Sequence, residues 1–124
     1  MGKPLVFAVL FILYMAYGLV VYTKGTTNSI VLSPAEASLV DKGKIIYQEK
    51  NCTACHQLYG LGGYLGPELT TAWSDPSRGE LYMRAFLKAG GRRMPNFHFT
   101  EEDIVSLLHF FHYVDTTATT YKIQ

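Results

Sequence analysis

Cysteine is scarce in this chain of 124 residues, and its scarcity argues against two common architectures. Only Cys52 and Cys55 are present. A disulfide scaffold needs more cysteines, and a structural zinc site needs further ligands at matched spacing. The sequence also has no internal repeat and no low-complexity run. The two cysteines are therefore candidates for a different kind of site.

An excess of charge of either sign is also lacking. The formal net charge is +1, and residues 33–124 carry nine Lys and Arg against ten Asp and Glu. No basic stripe indicates nucleic-acid binding. The sequence also lacks the combinations of nucleophile and base residues that hydrolases use. The sequence therefore indicates no catalysis by this chain alone.

The two cysteines belong to the run Cys52-Thr53-Ala54-Cys55-His56. This C-x-x-C-H spacing is the one that attaches a c-type haem. The thiols can form thioethers with the haem vinyl groups, while the imidazole of His56 reaches the iron. A thioredoxin-like redox dithiol is the alternative, but it needs a βαβ surrounding that this sequence does not offer. The motif predicts one covalent haem.

A long uncharged stretch lies near the amino terminus. Pro4 to Tyr22 contains no charged side chain and would span about 28 Å as a helix. We interpret it as a transmembrane helix; a cleaved signal peptide is the alternative, but no small-x-small cleavage site precedes Lys24. Haem attachment takes place outside the cytoplasm, so we expect the domain on the periplasmic or outer face of the inner (plasma) membrane. The expected division is an anchor (1–24), a linker (25–32) and a mono-haem domain (33–124).

A strong helix start opens the domain. Ser33 as N-cap, a proline at the next position and Glu36 as partner predict a capping box and a helix to about Lys50. Its inward face is expected to hold Leu39, Gly43, Ile46 and Tyr47. The small residue on this face would let the helix pass close to the last one, with Phe110 and Phe111 as candidate aromatic partners.

Two more helix starts follow. Ser77 with Glu80 predicts a helix that ends at Gly90-Gly91, and Thr100 with Asp103 predicts one that ends near residue 115. The expected apolar face of the first is Tyr82, Ala85 and Phe86, and that of the second is Ile104, Leu107, Leu108 and Phe111. No segment between the helices alternates as a strand would, while four glycines between residues 60 and 66 demand a tightly folded loop. The predicted fold class is all-α.

An electron-carrying haem usually needs a sixth ligand, and methionine sulfur raises the potential relative to two histidines. Met94, in Arg92-Arg93-Met94-Pro95, is the methionine expected on a loop, so we predict it as the ligand. Its alternatives are His98, His109 and His112. The last two could be read as a metal pair, but no third ligand is spaced to join them.

Other side chains are candidates around the haem. Either the carbonyl that precedes Pro67 or that of Pro67 itself could accept the Nδ1–H of His56 and orient the ring. Trp73, Arg92 and Arg93 are candidates for the haem propionates through charge-assisted hydrogen bonds. For each arginine, an ordinary solvated role is the alternative.

With these motifs placed, the domain resembles a class I cytochrome c. Residues 43–100 are more closely similar to the small membrane-anchored cytochrome c subunit of respiratory nitric oxide reductase, a denitrification enzyme. The similarity rests on GKxxYxxxNCxxCHxLxGxGxYxxPEL, at Gly43–Leu69, and on GRRMPNF, at Gly91–Phe97. It implies Cys52 and Cys55 as covalent links and His56 and Met94 as iron ligands.

The resemblance also implies partners. In that family a soluble periplasmic donor supplies electrons, and a polytopic large subunit receives them at its haem b. The glycine-rich loop of this chain would face that large partner, where Gly62 and Tyr64 match positions that hold a calcium ion; an ordinary surface loop is the alternative. Two other functions stay open: a cytochrome c subunit of another haem-copper oxidase or respiratory complex, and a free-standing anchored electron shuttle.

Overall fold

A computed structural model describes residues 2–25 and 30–118. The chain divides into two compact units, Met1–Val31 and Leu32–Gln124. Part of the expected linker, residues 26–29, and the last six residues of the expected haem domain lie outside the described residues. The predicted class is confirmed, because the described chain is mostly helical.

The first unit is a single apolar helix. α1 spans Lys3–Val20, and a π-helical turn, Val21–Gly25, continues it. Proline stands in its first turn, where the missing N–H costs nothing. Lys3–Lys24 is 22 residues long and apolar enough to cross a membrane by length and composition. No described residue of α1 is buried, so this unit holds no core of its own.

The second unit begins with α2, Pro34–Glu49. The predicted capping box is confirmed: the Glu36 amide donates to the Ser33 hydroxyl at 3.3 Å, and the Ser33 amide donates to the Glu36 carboxylate at 3.0 Å. The helix stops where Asn51 enters the left-handed region at φ 52°. Its buried residues are Val40, Gly43, Ile46 and Tyr47. Leu39, expected inside, is only half-buried.

α4, Glu101–Thr117, crosses α2 at very close range. A β-carbon on Gly43 would overlap the backbone carbonyl of Ser106 and lie 2.8 Å from the β-carbon of Phe110. One turn later, the Tyr47 ring lies 5.5 Å from Phe110 and 6.0 Å, edge-on, from Phe111. The expected close approach is confirmed, with the helix backbone as the nearest contact and the phenylalanines packing on Tyr47.

α3, Gly79–Ala89, differs from the prediction. Ser77 does not cap it, because its amide and hydroxyl both donate to the Asp75 carboxylate, at 2.8 and 2.6 Å. The buried residues of this helix are Met83 and Leu87. The expected apolar face was therefore wrong: Tyr82, Ala85 and Phe86 are exposed. Met83 and Leu87, which each follow directly after a residue of the expected face, point into the core instead.

The remaining elements are short. α4 begins with the predicted capping box of Thr100 and Asp103 and ends two residues beyond the expected position. The expectation of no strand was wrong in one detail: β1, Gln57–Leu58, pairs antiparallel with β2, Leu61–Gly62. The connecting residues Tyr59 and Gly60 both have positive φ, 52° and 77°, which the type I′ two-residue hairpin loop requires.

We expect Gly43→Ala to destabilise the domain by about 2 kcal/mol. The new β-carbon gains ~1 kcal/mol of helix propensity, but pushing α4 away from its packed position costs ~3 kcal/mol. Denaturant unfolding of the full-length protein followed by circular dichroism measures the loss. Lys44→Ala, at the next and exposed position of α2, is the control and should stay within ~0.5 kcal/mol of wild type. Equal stability of the two variants would contradict the close helix crossing.

Candidate haem site

The two cysteines lie on a single turn at the end of α2. A 3₁₀ turn, Cys52–Ala54, follows Asn51, and the Cys52 carbonyl accepts hydrogen bonds from the amides of Cys55 (3.2 Å) and His56 (2.9 Å). Both thiols are free and half-buried. Burial raises the pKa of the Cys52 thiol, whose side chain packs against the core of the domain. The turn thus presents both thiols and the imidazole from five consecutive residues.

The glycine-rich loop wraps around this turn. The Gly63 amide donates to the Thr53 carbonyl at 2.9 Å, and the Gly66 amide donates to the Cys55 carbonyl at 2.8 Å. A β-carbon at position 63 would overlap the carbonyl of Ala54. Side chains are excluded because the two backbones touch, which confirms the tightly folded loop expected from the glycine spacing.

The ring of His56 is held from two sides. Its Nδ1 lies 2.8 Å from the carbonyl oxygen of Pro67. Since a carbonyl only accepts, Nδ1 carries the proton, and Nε2 of the neutral ring keeps its lone pair for a metal. A β-carbon on Gly66 would overlap the ring itself. The contact anticipated at Pro67 is therefore present, and glycine at the preceding position makes room for it.

The segment after the histidine is tied down by polar contacts. The Leu69 amide donates to the Gln57 carbonyl at 2.9 Å. Arg78 bridges the segment: its guanidinium donates to the Glu68 carbonyl at 2.9 Å and to the Asp75 carboxylate at 2.7 Å. Hydrogen bonds from Ser77, and then that from Arg78, lower the pKa of Asp75 to about 2. The loop thus holds its shape across residues 57–78.

Trp73 lies at the far end of this segment. Its ring stacks on His112 at 4.7 Å, tilted by 39°, and both line a cavity of about 260 Å³ with Glu80 and Arg84. The next residue, Ser74, donates from its amide (2.8 Å) and its hydroxyl (2.9 Å) to Asp115, a buried carboxylate of α4. The proposed contact of Trp73 with a propionate stays a prediction.

Met94 lies on an irregular segment between α3 and α4, as expected. Its side chain is half-buried and packs against the same core cluster as Cys52, and its carbonyl accepts from the Gly91 amide at 2.8 Å. Arg92 and Arg93 are exposed and make no ion pair with another described residue. Their proposed role at the propionates stays a prediction, as does the ligand role of Met94.

The alternative ligands and the calcium site stay undecided. His98 is exposed at φ 55°, and His112 stacks on the tryptophan. Tyr64 is 87% exposed. Within residues 2–25 and 30–118, no three His, Cys, Asp or Glu side chains cluster as metal ligands. A calcium ion held by Gly62 and Tyr64 would need further oxygen ligands, because calcium takes about six to eight.

These residues fit a c-type haem. The ligands of such a group are present: two neighbouring thiols, an imidazole with a free Nε2 and a methionine on an irregular segment. A glycine also leaves the space that the imidazole ring needs. The fold and the site together define a c-type cytochrome.

Comparison with known proteins agrees with this class. The family described as cytochrome c oxidase, cbb3-type, subunit III matches residues 38–111, and the chain belongs to that family. Membership implies haem c as the cofactor.

The chain is also similar to the C subunit of nitric oxide reductase from three bacteria. The identity is 30% over 104 residues for Halomonas halodenitrificans (74% of this chain, 63% of the relative). It is 28% over 102 residues for Stutzerimonas stutzeri (75% and 70%) and 30% over 105 residues for Paracoccus denitrificans (75% and 69%). The chain thus spans about two thirds of the length of these relatives.

Sequence reasoning missed three residues of the site. Asn51, whose left-handed backbone turns the chain from α2 into the cysteine turn, could have been suspected because asparagine tolerates that conformation. Gly66 stood in a glycine-rich loop, but nothing marked it as the one facing the histidine ring. Asp115 had no signal, because its partner Ser74 lies forty-one positions away.

Proposed function

We propose that this chain is the electron-transfer subunit of a nitric-oxide-reductase-type membrane complex. The observation that carries the proposal is the cysteine turn with a histidine whose free Nε2 is aimed by the Pro67 contact. Similarity to the C subunit of nitric oxide reductase supports the choice of complex. In this reading the chain moves electrons and performs no substrate chemistry of its own.

Each residue of the site would have its own role in binding the haem. Cys52 and Cys55 would hold it through thioethers, and His56 and Met94 would supply the two axial ligands. When bound, the haem supplies an iron centre that changes by one electron. The Pro67 carbonyl keeps the imidazole in the tautomer that can ligate, and Gly66 leaves the ring the space it needs.

Trp73 and the two arginines next to Met94 are assigned to the propionates. The exposed guanidiniums of Arg92 and Arg93 are free to turn toward carboxylates, which they would bind by charge-assisted hydrogen bonds. The indole N–H of Trp73 is a donor of the same kind.

Two faces of the chain would meet two partners. The exposed apolar loop, defined here as Leu61, Tyr64 and Leu65 (76%, 87% and 68% exposed), begins in β2 and continues beyond it. We assign it to the polytopic catalytic subunit that holds haem b, with Gly62 and Tyr64 contributing to an interface calcium ion. A different part of the domain surface would then receive electrons from a soluble periplasmic donor.

The membrane arrangement follows from the attachment chemistry. Thioethers to haem are made outside the cytoplasm, so the domain would face the periplasm, anchored by α1 in the inner membrane. The short segment after α1 would keep the domain at the membrane surface, within reach of an integral membrane partner.

A second candidate is a cytochrome c subunit of another haem-copper oxidase. The specific observation in its favour is that the description of the matching family names a cbb3-type oxidase. The haem chemistry would be the same, and only the catalytic partner would differ. A free-standing anchored shuttle is the third candidate, and the exposed apolar loop argues against it because a soluble encounter surface rarely keeps such a patch.

Purification from native membranes tests the function. We expect the chain to bring with it a polytopic subunit that holds haem b, and the complex to reduce nitric oxide to nitrous oxide. On a denaturing gel, the 13.9-kDa band should keep its haem stain after acid–acetone extraction. Oxygen turnover without nitric oxide turnover would favour the oxidase, isolation without any partner would favour the shuttle, and a colourless band would rule out covalent haem.

Replacing the sixth ligand should change the oxidised spectrum. Met94→Leu keeps the volume but removes the sulfur, so the sulfur-to-iron charge-transfer band should vanish. The midpoint potential should fall by on the order of 0.1 V, a fraction of the ~0.8 V that axial ligands span. Met83→Leu, a matched change in the core of α3, should leave both unchanged. Retention of band and potential in the first variant would move the ligand role to one of the three histidines.

Electron flow should depend on the exposed apolar loop. In the complex, Tyr64→Ala should slow transfer from this chain to the catalytic subunit about tenfold, equal to ~1.4 kcal/mol, while reduction by the soluble donor stays nearly intact. Stopped-flow spectroscopy separates the two steps. Leu81→Ala, which removes an equally exposed apolar side chain on α3, is the control. Slowed reduction by the donor with unaffected onward transfer would reverse the two faces.

A further inference from the structure

The hydroxyl of Tyr47 is an exception in the core. Among the described residues it is the one buried side-chain nitrogen or oxygen without a hydrogen-bond partner. The residue is 3% exposed, and its ring packs against both Phe110 and Phe111 at the crossing of α2 and α4. Because burying a hydroxyl costs free energy of hydration unless the group is paired, a partner is expected here.

The neighbourhood of the hydroxyl narrows the choice of partner. Burial, followed by the electrostatic influence of Cys52 and then Glu68, raises the pKa of Tyr47 to about 12. The Glu68 carboxylate accepts from both the amide and the hydroxyl of Thr70, and it makes no hydrogen bond to the Tyr47 hydroxyl. Cys52 is the other neighbour, because its side chain packs against the buried cluster that includes Tyr47, and it is the residue through which the proposed haem would be attached.

We infer that Tyr47 is a positioning residue for the haem, and that its hydroxyl donates a hydrogen bond at the Cys52 edge of the bound group. Among the described residues, neither the Cys52 thiol nor any other group bonds to the hydroxyl. Attachment would turn that thiol, a weak donor and weak acceptor, into a thioether whose sulfur can only accept, and it would bring the haem edge to the buried cluster that holds Tyr47. The inference rests on the proposed haem attachment and is independent of which catalytic subunit receives the electrons.

Two physical consequences separate this role from simple packing. A donated hydrogen bond stabilises the haem-bound fold, so losing the hydroxyl should destabilise it. In addition, the hydroxyl proton directs the positive end of its dipole at the haem edge, which favours the reduced state with its extra electron. Loss of that dipole should lower the midpoint potential.

Tyr47→Phe in the full-length, haem-loaded protein tests both consequences. The variant keeps the ring and its two phenylalanine contacts, so the fold is preserved. We expect a lower midpoint of thermal unfolding and a lower reduction midpoint potential than wild type. Tyr59→Phe is the matched control, because that hydroxyl has protein partners, the Thr117 hydroxyl at 2.5 Å and the Val114 carbonyl at 3.5 Å. It should lower the unfolding midpoint and leave the potential unchanged.

Any result for Tyr47→Phe other than a lower unfolding midpoint together with a lower midpoint potential would overturn the inference. An unchanged or higher unfolding midpoint for Tyr47→Phe would mean that the hydroxyl stays unpaired in the haem-bound protein. A lower unfolding midpoint with an unchanged or raised potential would assign the partner to Glu68 or to buried water. Wild-type protein without bound haem would instead refute the proposed attachment, so the two failures are distinguishable.

Discussion

The close crossing of α2 and α4 is the contact on which the rest of the domain depends. Gly43 lets the two backbones meet at Ser106, and the aromatic side chains one turn later fill the space beside them. Because the cysteine turn begins three residues after α2 ends, the crossing also sets where the thiols lie. α4 in turn anchors the loop that carries Trp73, through Asp115. Packing of two helices thus positions both ends of the site.

The site itself is built from backbone contacts more than from side chains. The loop of residues 60–66 returns onto the cysteine turn through amide–carbonyl hydrogen bonds, and this is possible only where no β-carbon intervenes. The histidine ring then rests between a glycine and a carbonyl. Such a frame leaves one ring nitrogen free and fixes its direction, so the ring is already oriented for a metal ligand role.

Prediction from sequence succeeded where the signal was local. The capping boxes of α2 and α4 each use residues three positions apart, and both are present. It failed at α3, because Ser77 bonds to Asp75 instead of capping the helix, and because the side of a short helix that faces the core depends on its neighbours. The two-residue strands were too short for any alternation to be visible. The unpaired hydroxyl of Tyr47 had no sequence signal, since aromatic residues at such positions are usually core.

The sequence by itself determined the chemistry of the site. The spacing of two cysteines and a histidine predicts c-type haem attachment, and a long uncharged stretch gives a candidate membrane helix, because both depend only on neighbours along the chain. Tertiary structure alone decided which carbonyl orients His56, which glycine clears space for its ring, and which buried groups meet across α2 and α4. Those pairings join residues from ten to more than sixty positions apart, and contacts of that kind are set by packing rather than by local pattern.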